Sequence, residues 1–181
     1  MLMGNDFAET EAVLEIVKRY AATWRLLLQY DEDNLPPPGK KPSGEAGFEV
    51  AEARQAMAVL KRELLAKGEA TAIFGQERGE GLAGILGALQ QTFGGQELYP
   101  SAEEKAAHLL YFIIKDHPFT DGNKRTGAFL FLLFLKSNNL LPAAGGFDNR
   151  ALVALTLLVA ASDPGQKDLL IRLIVNLIGV E

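Results

Sequence analysis

Between Asp6 and Tyr30, the residues Val13, Ile16, Val17, Tyr20, Trp24, Leu27 and Leu28 recur at spacings of three and four. That is the stripe of an amphipathic helix needing a partner to cover it. From Asp31 to Gly47 the apolar pattern lapses, and Pro36, Pro37, Pro38, Gly39, Pro42 and Gly44 make a stiff polar connection in which no helix propagates. Phe48, Ala51, Ala58, Leu60, Leu64 and Leu65 predict a second helix ending near Lys67-Gly68. A short mixed stretch, 71–81, precedes a third stripe of Leu82, Ile85, Leu86, Leu89 and Phe93, which stops at Gly94-Gly95. Ser101 with Glu104 three residues on reads as a capping box for a helix carrying Leu109, Leu110, Ile113 and Ile114, ending near Asp116. The next helix, about Gly122 to Ser137, is apolar on every side between Phe129 and Leu135, which predicts a place in the centre of a bundle. Asp148 opens a helix over 151–161, and Asp163-Pro164 opens the last one, through Leu169, Leu170, Leu173, Ile174, Leu177 and Ile178. No alternating run of strand length occurs, so the expectation is an all-α bundle of seven helices with at most a short hairpin near 71–79 or 94–99.

Composition narrows the class. With 48% hydrophobic and 23% charged residues over 181 positions, the chain has the balance of a globular domain and is long enough to bury a core without staples. The absence of cysteine removes disulfides, thiolate metal sites and cysteine nucleophiles. A net charge of −5 argues against a nucleic-acid partner. The apolar runs 127–135 and 151–161 are shorter than the roughly 20 residues of a membrane span, and Met1 to Asp6 has no charged leader, so no membrane association and a cytoplasmic location are expected.

Only two histidines exist, His108 and His117, nine residues apart. At about 100° per residue they would lie on opposite faces of one continuous helix and could not share a metal. His108 sits beside an apolar face and reads as a hydrogen-bonded structural residue, which leaves His117 for general acid or base work. It opens the segment His117-Pro118-Phe119-Thr120-Asp121-Gly122-Asn123-Lys124-Arg125-Thr126. Pro118 takes His117 out of helical geometry, and Asp121-Gly122 is a turn feeding a helix. Backbone N–H groups of Gly122, Asn123 and Lys124, together with the Lys124 and Arg125 charges, then form an anion site suited to phosphates. Two cations in a first turn oppose the helix dipole unless an anion compensates them. Asp121 at its mouth could hold Mg²⁺ against phosphates, and His117 could deprotonate an attacking hydroxyl. Each residue also has a plainer role open to it: Asp121 as helix cap, Lys124 and Arg125 as solvated charges, His117 as a loop hydrogen bonder. The run Gly79-Glu80-Gly81-Leu82-Ala83-Gly84 spells G-x-G-x-x-G, but with no βαβ unit around it the pattern reads as a flexible loop and helix start.

His117, Phe119, Asp121, Gly122, Asn123, Lys124 and Arg125 fit, without gaps, the pattern His-x-Phe-x-Asp/Glu/Asn-Gly/Ala-Asn-Gly/Lys-Arg, and in this the chain resembles the Fic/Doc family. Residues 82–138, including Gly95 to Ser101, are similar to death-on-curing proteins and to the C-terminal region of RhuM-type virulence proteins. The likeness extends from Phe48 to the end, making 48–181 the Fic/Doc-type domain and 1–47 a helix and Pro-rich linker packing on its core.

The resemblance implies an all-helical fold and transfer of an AMP or phosphoryl group from ATP or another nucleoside triphosphate, with Mg²⁺, onto a hydroxyl side chain of a target protein. His117 would be the base, Asp121 the Mg²⁺ ligand, Gly122, Asn123 and Lys124 the phosphate cradle, and Arg125 a phosphate clamp. Phe119 would pack inward, and the loop Gly94 to Pro100 would be the flap that docks the target as an added strand. Lys124 and Ala128, where AMP-attaching members carry Gly and a second Arg, resemble the phosphoryl-transferring Doc branch. Asp121 and Gly122 are the choices of the AMP-attaching branch, so the motif is a hybrid that leans toward phosphoryl transfer. No Ser or Thr has Glu four residues later, so the family's internal inhibitory helix is not visible. Regulation would come from a separate antitoxin or from self-association into a homo-oligomer. The alternative to an enzyme is a silent module that binds nucleotide or a partner protein.

Overall fold

The computed structural model describes residues 4–19, 21–39, 49–141 and 148–179. They fall into two compact units, 1–36 and 37–181. The first unit holds α1 (Gly4–Arg19) and α2 (Ala21–Asp31). The stripe predicted over 6–30 is helical on both sides of position 20, which itself lies outside the described residues. Val13, Ile16, Val17, Trp24, Leu27 and Leu28 are all exposed. The chain leaves α2 through Asp33 in the left-handed region, and the Asn34 N–H closes the turn on the Gln29 carbonyl at 2.7 Å.

The second unit runs α3 (Val50–Ala66), α4 (Gly81–Leu89), β1 (Thr92–Phe93), β2 (Gln96–Glu97), α5 (Ala102–Asp116), α6 (Asn123–Ser137), α7 (Asn149–Ala161), a 3-10 turn (Pro164–Gln166) and α8 (Lys167–Ile178). With eight helices and one two-stranded hairpin among the described residues, the fold class is all-α, as the sequence implies. The expected caps form: the Ser101 hydroxyl accepts from the Glu104 N–H at 3.1 Å, and Asp148 accepts from the Ala151 N–H at 2.7 Å.

Two expectations are corrected. The centre of the bundle is α5 as much as α6, since α5 packs against α4, α6, α7 and α8 and buries every residue from Lys105 to Ile114 except Phe112. Helix α6 buries Leu130, Phe131, Phe134 and Leu135, while Phe129, Leu132 and Leu133 on its other flank are only partly covered. Gly127 lets the two helices close up, because a Cβ there would stand 3.3 Å from both Ile113 and Ile114. The second correction concerns Phe93, which belongs to no core stripe and is 85% exposed on β1. Helix α4 ends at Leu89 because Gly94 and Gly95, at φ 60° and 80°, form the two-residue turn that right-handed strand twist favours, and the pairs Thr92–Glu97 and Phe93–Gln96 result from it. The hairpin is anchored from inside: the fully buried Lys105 of α5 reaches Glu97 at 2.7 Å and the Gln90 side chain at 3.3 Å.

Candidate active site

The segment between α5 and α6 is held from both sides. His117 terminates α5 in the left-handed region at φ 50°, ψ 60°, and its side chain is exposed. Pro118 and Phe119 then turn inward and are buried. The expectation that Pro118 takes His117 out of helical geometry holds, although the conformation is left-handed rather than the extended one that usually precedes proline.

Asn123 pins this loop from the first turn of α6. Its Oδ1 accepts from the Phe119 N–H at 3.0 Å, and its Nδ2 donates to the Phe119 carbonyl at 2.9 Å. The Asn123 side chain thus closes the loop upon itself, and only its backbone N–H remains for the cradle that the resemblance gives it.

The other side of the clasp is the mixed stretch 71–81. The Gly75 N–H donates to the Asp121 carbonyl, the Thr120 N–H to the Gln76 carbonyl, and the Arg78 N–H to the Pro118 carbonyl, at 3.0, 2.8 and 2.7 Å. Glu77 braces this stretch by accepting two bonds of 2.9 Å from the Arg54 guanidinium of α3 and one of 3.2 Å from the Leu82 N–H. Those Arg54 bonds hold the Glu77 carboxyl below the usual carboxylate range. The glycine-rich run is a helix start, as read from the sequence, and also a packed turn: a Cβ on Gly81 would stand 2.9 Å from that of Pro118. None of these partners lies near His117 in sequence, and no periodicity marks them. The one available signal was the glycine at 81.

Helix α6 begins without a side-chain cap. Gly122, at φ 83°, is its N-cap, and the first helical bond runs from the Thr126 N–H to the Gly122 carbonyl at 2.8 Å. The N–H groups of Asn123, Lys124 and Arg125 therefore have no acceptor within the helix. Asp121 does not cap them. Its carboxylate is half exposed and lies 3.9 Å from the Arg125 guanidinium, too far for a hydrogen bond. The Lys124 side chain is exposed. Arg125 donates to the Glu69 carbonyl at 2.7 Å and lies 4.5 Å from the centre of the buried Phe74 ring, so these two contacts fix its position.

Chemically, the arrangement is an exposed imidazole beside an open helix N-terminus with two cations in its first turn. Among the described residues no three metal-binding side chains cluster. Asp121 alone still suits Mg²⁺, which typically takes one or two carboxylates and fills its remaining positions with phosphate oxygens and water.

His108 lies apart. It is buried, stacks on Tyr99 at 3.8 Å between ring centres, and donates from Nδ1 to the Glu104 carbonyl at 2.9 Å. Burial pushes its pKa down to about 4 against that hydrogen bond, so it is neutral at pH 7. The unfolded chain, with His near 6.5, binds the extra proton first as pH falls. Stability should accordingly decline from pH 6.5 to about 4, by up to roughly 3 kcal/mol if this site acts alone. Melting wild type and His108→Gln across pH 7 to 4 checks this: the variant's profile should be flatter, and parallel profiles would count against a buried neutral imidazole.

Residues 51–135 match the Fic/DOC family. The matched segment runs from the first turns of α3 to the last turns of α6 and contains the clasp, the hairpin and the whole motif loop. No curated protein and no solved structure matches the chain.

Proposed function

We propose that the protein is a Fic/DOC-type transferase that moves part of a nucleoside triphosphate onto a Ser, Thr or Tyr hydroxyl of another protein. The observation carrying this reading is the exposed His117, held in left-handed backbone by the clasp, beside an α6 N-terminus that no side chain caps. Triphosphate oxygens would be received by the N–H groups of Gly122, Asn123 and Lys124, and by that of Arg125, with the Lys124 ammonium and the remaining guanidinium donors of Arg125 as counter-charges. Bound at Asp121, Mg²⁺ would supply neutralisation of developing phosphate charge. The acceptor oxygen forms a new bond to phosphorus as the phosphorus–oxygen bond to the leaving group breaks, and its proton passes to the unprotonated nitrogen of His117. ADP leaves if the γ-phosphoryl group moves, and pyrophosphate leaves if AMP moves. Lys124, Ala128 and the death-on-curing likeness favour the γ-phosphoryl group. The same likeness favours a toxin whose activity a separate antitoxin restrains.

A second reading, a silent module that binds nucleotide or a partner, draws on the Arg125 contacts with Glu69 and Phe74, which suit a structural arginine. Incubating the protein with Mg²⁺, a cell lysate and ATP labelled in either the α- or the γ-phosphate separates these readings. Label from γ alone is the expected outcome, label from α alone assigns AMP transfer, and Mg²⁺-ATP binding with no transfer of either supports the silent module.

A further inference from the structure

His117 is common to two features. One is the open N-terminus of α6. The other is a groove of about 440 Å³ between α4 and the end of α5, to which none of the residues 121–125 contributes. Its floor is Ile85 and Phe112, and its α4 wall consists of Gly81, Gly84 and Ala88. Its charged members are Arg78 and Asp116, one of each sign and neither in an ion pair among the described residues.

An in-line transfer requires the incoming oxygen on the side of phosphorus away from the leaving group, within reach of the base. Phosphates seated on the α6 N-terminus would use residues that line no part of the groove, so the groove is a separate surface at His117 on which an acceptor can lie. The groove chemistry fits that division. Arg78 and Asp116 balance in sign, so the groove offers a triphosphate no net positive charge, and the apolar floor suits a side chain rather than a charged group. Gly84, in the middle of the α4 wall, suits main chain, since no Cβ there holds an incoming backbone away from the helix. Where a Cβ would stand on Gly84 nothing lies within 4 Å, so the wall is bare. Helix α4 leads directly into the hairpin 92–97, a two-stranded sheet with an unpaired edge on each strand among the described residues.

We infer that this groove is the acceptor site: it seats an extended segment of the target protein, presenting its hydroxyl to His117 with an apolar neighbouring side chain on Ile85 and Phe112. The inference rests on the transferase reading, and it adds which surface selects the target and by what chemistry.

Gly84 and Gly87 provide the test. Both lie on α4 with ordinary helical backbone and open space at the Cβ position, but only Gly84 lines the groove. Gly84→Leu and Gly87→Leu should each fold with a melting temperature no lower than wild type, because leucine is the better helix former. The two variants and wild type are compared in transfer of label from Mg²⁺-ATP to lysate proteins and in thermal stabilisation by Mg²⁺-ATP. Expected is a fall of about 100-fold in transfer for Gly84→Leu, by displacement of the acceptor from the base, with nucleotide stabilisation unchanged and Gly87→Leu like wild type. Equal transfer by Gly84→Leu overturns the groove and leaves the transferase standing. Loss of nucleotide stabilisation in Gly84→Leu assigns the groove to the nucleotide and overturns it too, as does equal loss of transfer in both variants. Absence of transfer by wild type itself removes the transferase reading and the groove with it.

Discussion

His117→Ala should melt within a degree or two of wild type and lose protein labelling by about 10²- to 10⁴-fold, the contribution a positioned general base makes. Retained stability is expected because the side chain is exposed and makes no hydrogen bond among the described residues, so its removal leaves no cavity and no orphaned partner. What is unusual at this position is the backbone. A non-glycine residue at φ 50° immediately before proline is disfavoured, and alanine inherits the same strain as histidine. His117→Gly relieves that strain and should melt no lower than His117→Ala. A residue held in strained backbone with no bond of its own is more economically explained by chemistry than by architecture. The pair of variants makes the distinction measurable in label transfer and melting temperature: both should be inactive, whatever their order in stability. Transfer by either within a few-fold of wild type would remove His117 from the reaction.

The loop from His117 to Arg125 was legible because its chemistry is contiguous: proline, a turn dipeptide, then two cations where a helix must begin. The roles inside it were less legible. Asn123 reads from the sequence as a cradle residue alone, and nothing there shows that its side chain clamps the Phe119 peptide between its two amide atoms. The stretch 71–81 left no trace in apolar periodicity because it works through main-chain bonds to residues about forty positions away. The helices track the hydrophobic spacing wherever one face is buried, and depart from it where that spacing has another origin. Phe93 continues the α4 stripe by coincidence, since the two glycines after it demand a turn with positive φ at both positions. The apolar circumference of α6 suggested a central helix, but α5, with Lys105 and His108 among its buried residues, shares that place because polar side chains find internal partners there. An apolar pattern cannot reveal that compensation.

Gly122→Ala is the substitution expected to damage this site most without touching a reacting group. At φ 83° an alanine carries the left-handed penalty of about 1–2 kcal/mol. Its Cβ would also stand 2.3 Å from Cε2 and 2.5 Å from Cδ2 of Phe74, a ring fully buried beneath the Arg125 guanidinium. Overpacking of this kind adds about 1–3 kcal/mol. The sum, roughly 2–5 kcal/mol, predicts a melting temperature lower by about 5–20 °C for a chain of this size. The damage should reach function as well, because Phe74 forms the bridge to Asp121 and the adjacent Gly75 N–H is bonded to the Asp121 carbonyl. If the ring moves, the carboxylate and the start of α6 move with it, and Mg²⁺-ATP should no longer raise the melting temperature. The two parts of the penalty separate in a double mutant. Phe74→Leu makes room for the new methyl group but leaves φ unchanged, so Phe74→Leu/Gly122→Ala should recover the overpacking part and retain the backbone part. A favourable coupling of about 1 kcal/mol or more between contacting residues is the expected reading of that cycle. Strictly additive effects would mean that Phe74 does not limit position 122, and that glycine is required there by its backbone conformation alone.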